Sequence, residues 1–293
     1  MSKNIYCRFL VLIGLCFTLL GLVSCGWPVT ETKTYHAPNW TPDGRIVAEV
    51  QVVKLQRTLI SNSEYVGGYT GIVIMDKDGS NEELLFETPT GGVSRIEMSP
   101  SGNYVGVISG WVLDLYSSSG QLLQSIVPDP IVDHIKFSPD ESKLYGSEFS
   151  VSMSFFDVPS LDLLLHNELG GSGIWHSNNT ILYRDRDIVL ALFNFSTSER
   201  FLYDLNMVPE IYLSSSGKVL SFGAGERYEY TLGESEETNT PFSYSPYNYQ
   251  DFTNQQLSPD GKEIVMGAKS IFSNAGAGIY ILDIENGGIT FIK

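Results

Sequence analysis

The chain has 293 residues, of which 18% are charged and 12% aromatic, with 28 glycines and 13 prolines. That balance excludes a disordered chain, a coiled coil and a helical bundle, and it favours strands joined by turns. A formal charge of −16, from 18 Lys and Arg against 34 Asp and Glu, argues against nucleic acid as a partner, because that affinity comes mainly from basic side chains neutralising phosphates.

At the N-terminus, Lys3 and Arg8 precede an uncharged run from Phe9 to Ser24. Sixteen residues rise roughly 24 Å as a helix, short of a hydrocarbon core of about 30 Å. A basic start before a short apolar core is the pattern of an export signal. Leu22-Val23-Ser24-Cys25 resembles the bacterial lipobox, in which small or aliphatic positions precede a lipidated cysteine. The resemblance implies removal of residues 1–24, lipid attachment at Cys25 and a lipidated tether over 25–35. Cys7 and Cys16 fall within the removed segment, so the mature chain is expected to have no disulfide, thiol nucleophile or Cys-based metal site. Two or three acyl chains anchor stably where one holds only marginally. Gly26, not Asp, follows the cysteine, which points to the outer membrane, on its periplasmic or surface face. Without residues 1–24 the chain keeps 16 basic and 34 acidic residues, a charge of −18. That acidity should hold the exported part off anionic lipid surfaces.

The remainder repeats one unit six times. The copies are Trp40-Thr-Pro-Asp-Gly44, Met98-Ser-Pro-Ser-Gly102, Phe137-Ser-Pro-Asp-Glu141, Trp175-His-Ser-Asn-Asn179, Leu213-Ser-Ser-Ser-Gly217 and Leu257-Ser-Pro-Asp-Gly261, at intervals of 58, 39, 38, 38 and 44 residues. A large apolar residue before Ser/Thr-Pro-Asp-Gly is a strand end entering a tight turn: Pro presets φ, Asp bonds the backbone ahead and Gly accepts positive φ. Short β-rich runs follow, such as Arg45–Val50 and Glu263–Met266. Second runs often close on Asp, as in Gly71–Asp76, Trp111–Asp114, Met153–Asp157 and Gly278–Asp283. A hairpin turn then precedes an outer strand, as at Leu84–Phe86, Leu122–Leu123 and Ile289–Ile292. Four antiparallel strands in about 40 residues make a propeller blade. The prediction is an all-β, single-domain, six-bladed β-propeller of four-stranded antiparallel blades over residues 36–293. Because Ile289–Ile292 supplies the outer strand of blade six, closing the ring needs no strand exchange.

These repeats, clearest at 257–262 with 278–283 and at 40–45 with 71–76, resemble the WD-like propeller repeat of the TolB family. The short stretch between Cys25 and the first inner strand has no room for the α/β domain that precedes the TolB propeller. Blades four and five lack Pro in the turn, with Ser177 and Ser215 in its place, and are assigned by spacing. Extra chain is expected at Gln51–Tyr69 and at Gly233–Asp251, as loops suited to engaging partners.

Aligned on their turns, the inner strands give two columns that are expected to share one wet side. The first is Ala37, Arg95, His134, Ser172, Glu210 and Asn254; the second is Asn39, Glu97, Lys136, Ile174, Tyr212 and Gln256. The intervening positions, among them Ile96, Ile135 and Ile211, are mostly apolar and are predicted to pack between blades. Arg95, His134, Lys136, Glu210, Tyr212 and Asn254 are therefore candidates for a ligand or partner site at one mouth of the axial channel; the alternative reading of these columns is a solvated channel with no ligand. The histidines, His36, His134, His166 and His176, show no metal-ligand spacing, and Asp76–Glu82 is read as a hairpin turn, not a calcium loop. Neither a nucleophile elbow nor a phosphate-binding glycine loop is present. No cofactor and no metal are expected. The expected function is non-enzymatic binding of a protein partner in the bacterial envelope. The alternative is a polysaccharide-binding or polysaccharide-degrading propeller that uses the channel.

Overall fold

The turns set the architecture. The computed structural model describes residues 28–57, 63–88, 92–148, 152–168, 170, 173–184, 189–206, 210–213, 218–223, 226–231, 237–241, 252–268, 278–285 and 287–293. The N–H groups of Gly44, Gly102 and Gly261 donate to the carbonyls of Thr41, Ser99 and Ser258 at 3.0, 2.8 and 2.9 Å. Their φ angles of 82°, 75° and 75° lie where glycine carries no Cβ penalty. Blade three places Glu141 there at φ 58° and still closes the turn, its N–H donating to Ser138 O at 2.9 Å. The hydroxyl that opens each turn ties it to the next strand. Oγ of Ser99, Ser138 and Ser258 accepts the N–H of Tyr104, Lys143 and Glu263, each at 3.0 Å. Ser138 and Ser258 also donate to Asp140 and Asp260 at 2.7 and 2.6 Å.

Among the described residues there are 24 strands in six four-stranded sheets, and no helix. Blade one is β1 (Val29–Trp40), β2 (Ile46–Gln56), β3 (Glu64–Met75) and β4 (Glu83–Glu87). Blade two is β5 (Val93–Met98), β6 (Tyr104–Ser109), β7 (Val112–Ser117) and β8 (Leu122–Ile126). Blade three is β9 (His134–Phe137), β10 (Lys143–Glu148), β11 (Ser152–Asp157) and β12 (Leu163–Asn167). Blade four is β13 (Gly173–Ser177), β14 (Thr180–Arg184), β15 (Val189–Asn194) and β16 (Glu199–Asn206). Blade five is β17 (Glu210–Leu213), β18 (Val219–Gly223), β19 (Glu226–Tyr230) and β20 (Glu237–Pro241). Blade six is β21 (Phe252–Leu257), β22 (Glu263–Ala268), β23 (Gly278–Asp283) and β24 (Ile289–Phe291). Every blade pairs its strands in chain order, so the molecule is a six-bladed β-propeller without strand exchange.

Several expectations change in detail. The lipobox, Cys25 and the export signal lie outside the described residues. β1 begins at Val29, within the stretch expected to be a tether. Most of Gln51–Tyr69 is strand, because β2 runs to Gln56 and β3 starts at Glu64; residues 58–62 lie outside the described part. Part of Gly233–Asp251 is β20, and the rest of that segment lies outside it, as does the turn at 214–217. β7 does not close on Asp114 but continues to Ser117, and Asp114 is buried, accepting the Tyr116 hydroxyl at 3.4 Å. The Asp76–Glu82 segment is a hairpin turn: Gly79 N–H donates to Asp76 O at 2.8 Å and Asp76 N–H to Ser80 O at 2.9 Å.

The chain divides into two compact units. The smaller comprises Met1–Lys33 and Val52–Gly68; within it Lys54 pairs with Glu31 at 3.8 Å and Tyr65 is exposed. The larger comprises Thr34–Gln51 and Tyr69–Lys293. Its core sits between blades. One cluster joins Ala37, Val47 and Ile72 of blade one to Ile96 and Val107 of blade two. The next joins Ile108 and Leu113 to Ile135 and Leu144 of blade three. Tyr145 and Phe155 meet Trp175 and Phe193, Leu182 and Leu190 meet Val219 and Tyr230, and Tyr212 and Leu220 meet Ile264 and Leu282. Ile96 and Ile135 take the inter-blade places predicted for them.

Candidate functional site

The inner strands β5 and β9 bring Arg95 and His134, which share a column, side by side. Nη2 of Arg95 contacts Nδ1 of His134 and lies 2.7 Å from its Nε2, and Arg95 is 6% exposed. A guanidinium only donates, so the facing ring nitrogen accepts and the imidazole is neutral. Burial, then the charges of Arg95 and Lys136, hold His134 well below the usual histidine range. Its role here is that of a fixed acceptor.

The second column closes into a network. Asn39 Nδ2 donates to Ile96 O at 2.8 Å and to Glu97 Oε2 at 2.7 Å. Lys136 Nζ pairs with the same carboxylate oxygen at 2.8 Å, with side chains 17% and 10% exposed. Lys136 also donates to Gln256 Oε1, which joins blade three to blade six. The backbone carbonyls of this layer are held too: Trp40 Nε1 donates to Gln256 O at 3.1 Å and Trp175 Nε1 to Lys136 O at 2.8 Å. The two columns were expected to share a wet side. Instead Asn39, Arg95, Glu97 and Gln256 are buried, because inner strands converging on one axis bring facing polar side chains within reach of one another.

Tyr212 does not join this layer. It packs in the cluster of blades five and six, and its hydroxyl donates to Gln255 Oε1 at 3.4 Å. The side chains of Glu210 and Asn254 lie outside the described part, although their backbones stand in β17 and β21. Glu97, Asn39 and Gln256 complete the network. They stood in the aligned second column, but only their meeting across blades marks them out. Among the described residues no group of three or more His, Cys, Asp or Glu could hold a metal ion.

Above the network, on the turn side, opens a cavity of about 320 Å³. Its floor is Asn39, Glu97, Lys136 and Gln256; its rim carries Pro42, Pro100 and Pro259 from the turns of blades one, two and six, with Met98 and Leu257 beside them. A second cavity, of about 350 Å³, lies among Tyr35, Ala37, Glu49, Val93 and Ala268, near the other ends of the inner strands.

No protein-family model matches the chain, and no curated protein matches it in sequence. Solved structures do. A chain of a mitotic checkpoint complex is similar at 13% identity and a TM-score of 0.57, covering 92% of this chain and 83% of that one. The β-propeller domain of Myceliophteria thermophila Cps50 (Swd1) is similar at 10% identity and 0.53, covering 88% of each. Kluyvelomyces marxianus Hsv2 is similar at 12% identity and 0.56, covering 87% and 78%. At such identities the likeness is one of fold, and by fold the chain is a β-propeller.

Proposed function

We propose that this chain is a TolB-like propeller lipoprotein of the bacterial envelope. Lipid on Cys25 tethers it to the outer membrane, and the turn-side mouth binds a protein partner without catalysis. The observation that carries the reading is the mouth itself. Three exposed prolines from three blades surround a floor whose one ion pair, Glu97–Lys136, is already neutralised. Proline has little backbone freedom left to lose on binding, so a partner meets a preordered apolar rim. The similar structure from a mitotic checkpoint complex is, by its description, part of an assembly, which agrees with a scaffold role; fold alone does not supply it.

The test is photo-crosslinking in cells from a photoreactive residue placed at Pro100, followed by mass spectrometry. One recurrent envelope protein is expected, and recovery of only lipid or glycan overturns the reading. Alongside, Cys25→Ala should move the chain from the membrane to the soluble fraction. Retention in the membrane would refute the anchor.

A further inference from the structure

Glu49 in β2 is 0% exposed. Its Oε1 accepts the backbone N–H groups of Gly92 and Val93 at 3.0 and 3.1 Å. Its Oε2 is buried with no hydrogen-bond partner among the described residues. A buried carboxylate oxygen without a donor is costly to leave so, and most such groups in folded proteins are paired. Glu49 lines the cavity of about 350 Å³, and no lysine or arginine is among that cavity's lining residues. The volume is at the low end of small-molecule sites.

We propose that this cavity receives a primary ammonium group carried on an aliphatic stem. The charge follows from the carboxylate, whose Oε2 takes no hydrogen bond from any described residue, His36 of the cavity wall included. The ammonium follows from the geometry of the donors. A guanidinium recognises a carboxylate by bonding both oxygens in parallel. Here Oε1 already takes two N–H groups, so one oxygen is left for a compact donor, and an ammonium needs only one. The stem follows from Ala37, Val93 and Ala268, all buried and all lining the cavity. The ammonium belongs either to a free alkylamine or to a lysine side chain of a partner, and the inference holds whichever partner the turn-side mouth takes.

Titration calorimetry on the full chain compares n-pentylammonium with 1-pentanol, a neutral molecule of similar shape. The amine is expected to bind at least tenfold more tightly than the alcohol, and Glu49→Gln to weaken the amine at least tenfold while leaving the far-ultraviolet circular dichroism unchanged. The comparison of amine with alcohol needs no variant, so it decides the matter even if E49Q fails to fold. A third arm uses Nα-acetyl-lysine N-methylamide: binding comparable to pentylammonium assigns the site to a partner's lysine, and binding by the free amine alone assigns it to an alkylamine. Equal binding of amine and alcohol, or heat from neither, overturns the proposal and leaves the cavity to water.

Discussion

His134 shows how burial and neighbouring charge together turn a titratable group into a structural one. Desolvation, then Arg95 and Lys136, keep it neutral in the folded chain, whereas in the unfolded chain it takes a proton below about pH 6.5. The unfolded state therefore binds more protons as the pH falls, and stability drops by up to about 1.4 kcal/mol per pH unit for that one site. Denaturant midpoints measured between pH 6.5 and 5 should fall for the natural chain and stay flatter for His134→Gln, whose amide oxygen still accepts from Arg95. Equal slopes would show that His134 is protonated in the fold. Carboxylates act in a lower window. The Thr41 and Ser258 hydroxyls donate to Asp43 and Asp260 and hold both carboxyls below their usual value, so their contribution is present above about pH 4 and lost as the pH falls further. That Arg95 and His134 hold equivalent positions in adjacent blades was legible in the sequence; that their side chains meet was not, because the repeat gives a register and no side-chain distance. The buried serine hydroxyl was not credited: Ser-Pro-Asp-Gly suggests a turn through Pro, Asp and Gly, while the bond from Ser138 Oγ to a strand N–H five residues on is a property of the folded corner.

Strand pairs fit together here by exchanging bulk across blade boundaries. Gly106 of β6 is the clearest case: a Cβ there would approach Ile135 Cδ1 to 2.9 Å, and Ile135 is fully buried in the cluster joining blades two and three. Gly106→Val should cost about 1–3 kcal/mol through overpacking, read as a lower denaturant midpoint with an unchanged m-value. A neutral result would mean that blade three moves freely against blade two. The tight-turn motif predicted four of the six inner strand ends; spacing alone placed that of blade five at Leu213, while in blade four β13 runs two residues past Trp175 to Ser177. Blade four needs no proline because Asn178 and Asn179 form a two-residue connection between β13 and β14, and asparagine suits such turns. The motif misled only where a strand was taken to stop at its first aspartate. Asp114 sits in mid-strand opposite Val107, tolerated there because the Tyr116 hydroxyl donates to it.

The ring closes through side chains and not through a shared strand. Trp40 reaches Gln256 O, and Lys77 of blade one pairs with Glu263 of blade six at 3.1 Å. Lys293 lies 3.4 Å from Glu82 and over the Tyr35 ring at 5.8 Å, while the Tyr35 hydroxyl donates to Glu82 at 2.6 Å. Exposed ion pairs contribute little individually, so the weight falls on the buried Trp40 side chain, whose indole N–H is bonded to blade six. Deleting residues 288–293 removes β24 and Lys293 together, and Tm should fall by about 5 °C or more. An unchanged Tm would show that blade six holds without its outer strand.

The sequence by itself determined that the chain is built of strands, where most turns fall and that six units follow one another. Those properties are local or periodic, set by turn chemistry and by the alternation of side chains along a strand. Tertiary structure alone decided that the axial polar residues satisfy one another, that Lys136 reaches across from blade three to blade six, and that Glu49, beside a cavity, keeps one buried oxygen unpartnered. Each depends on distances between side chains far apart in the chain, and no repeat pattern encodes such a distance.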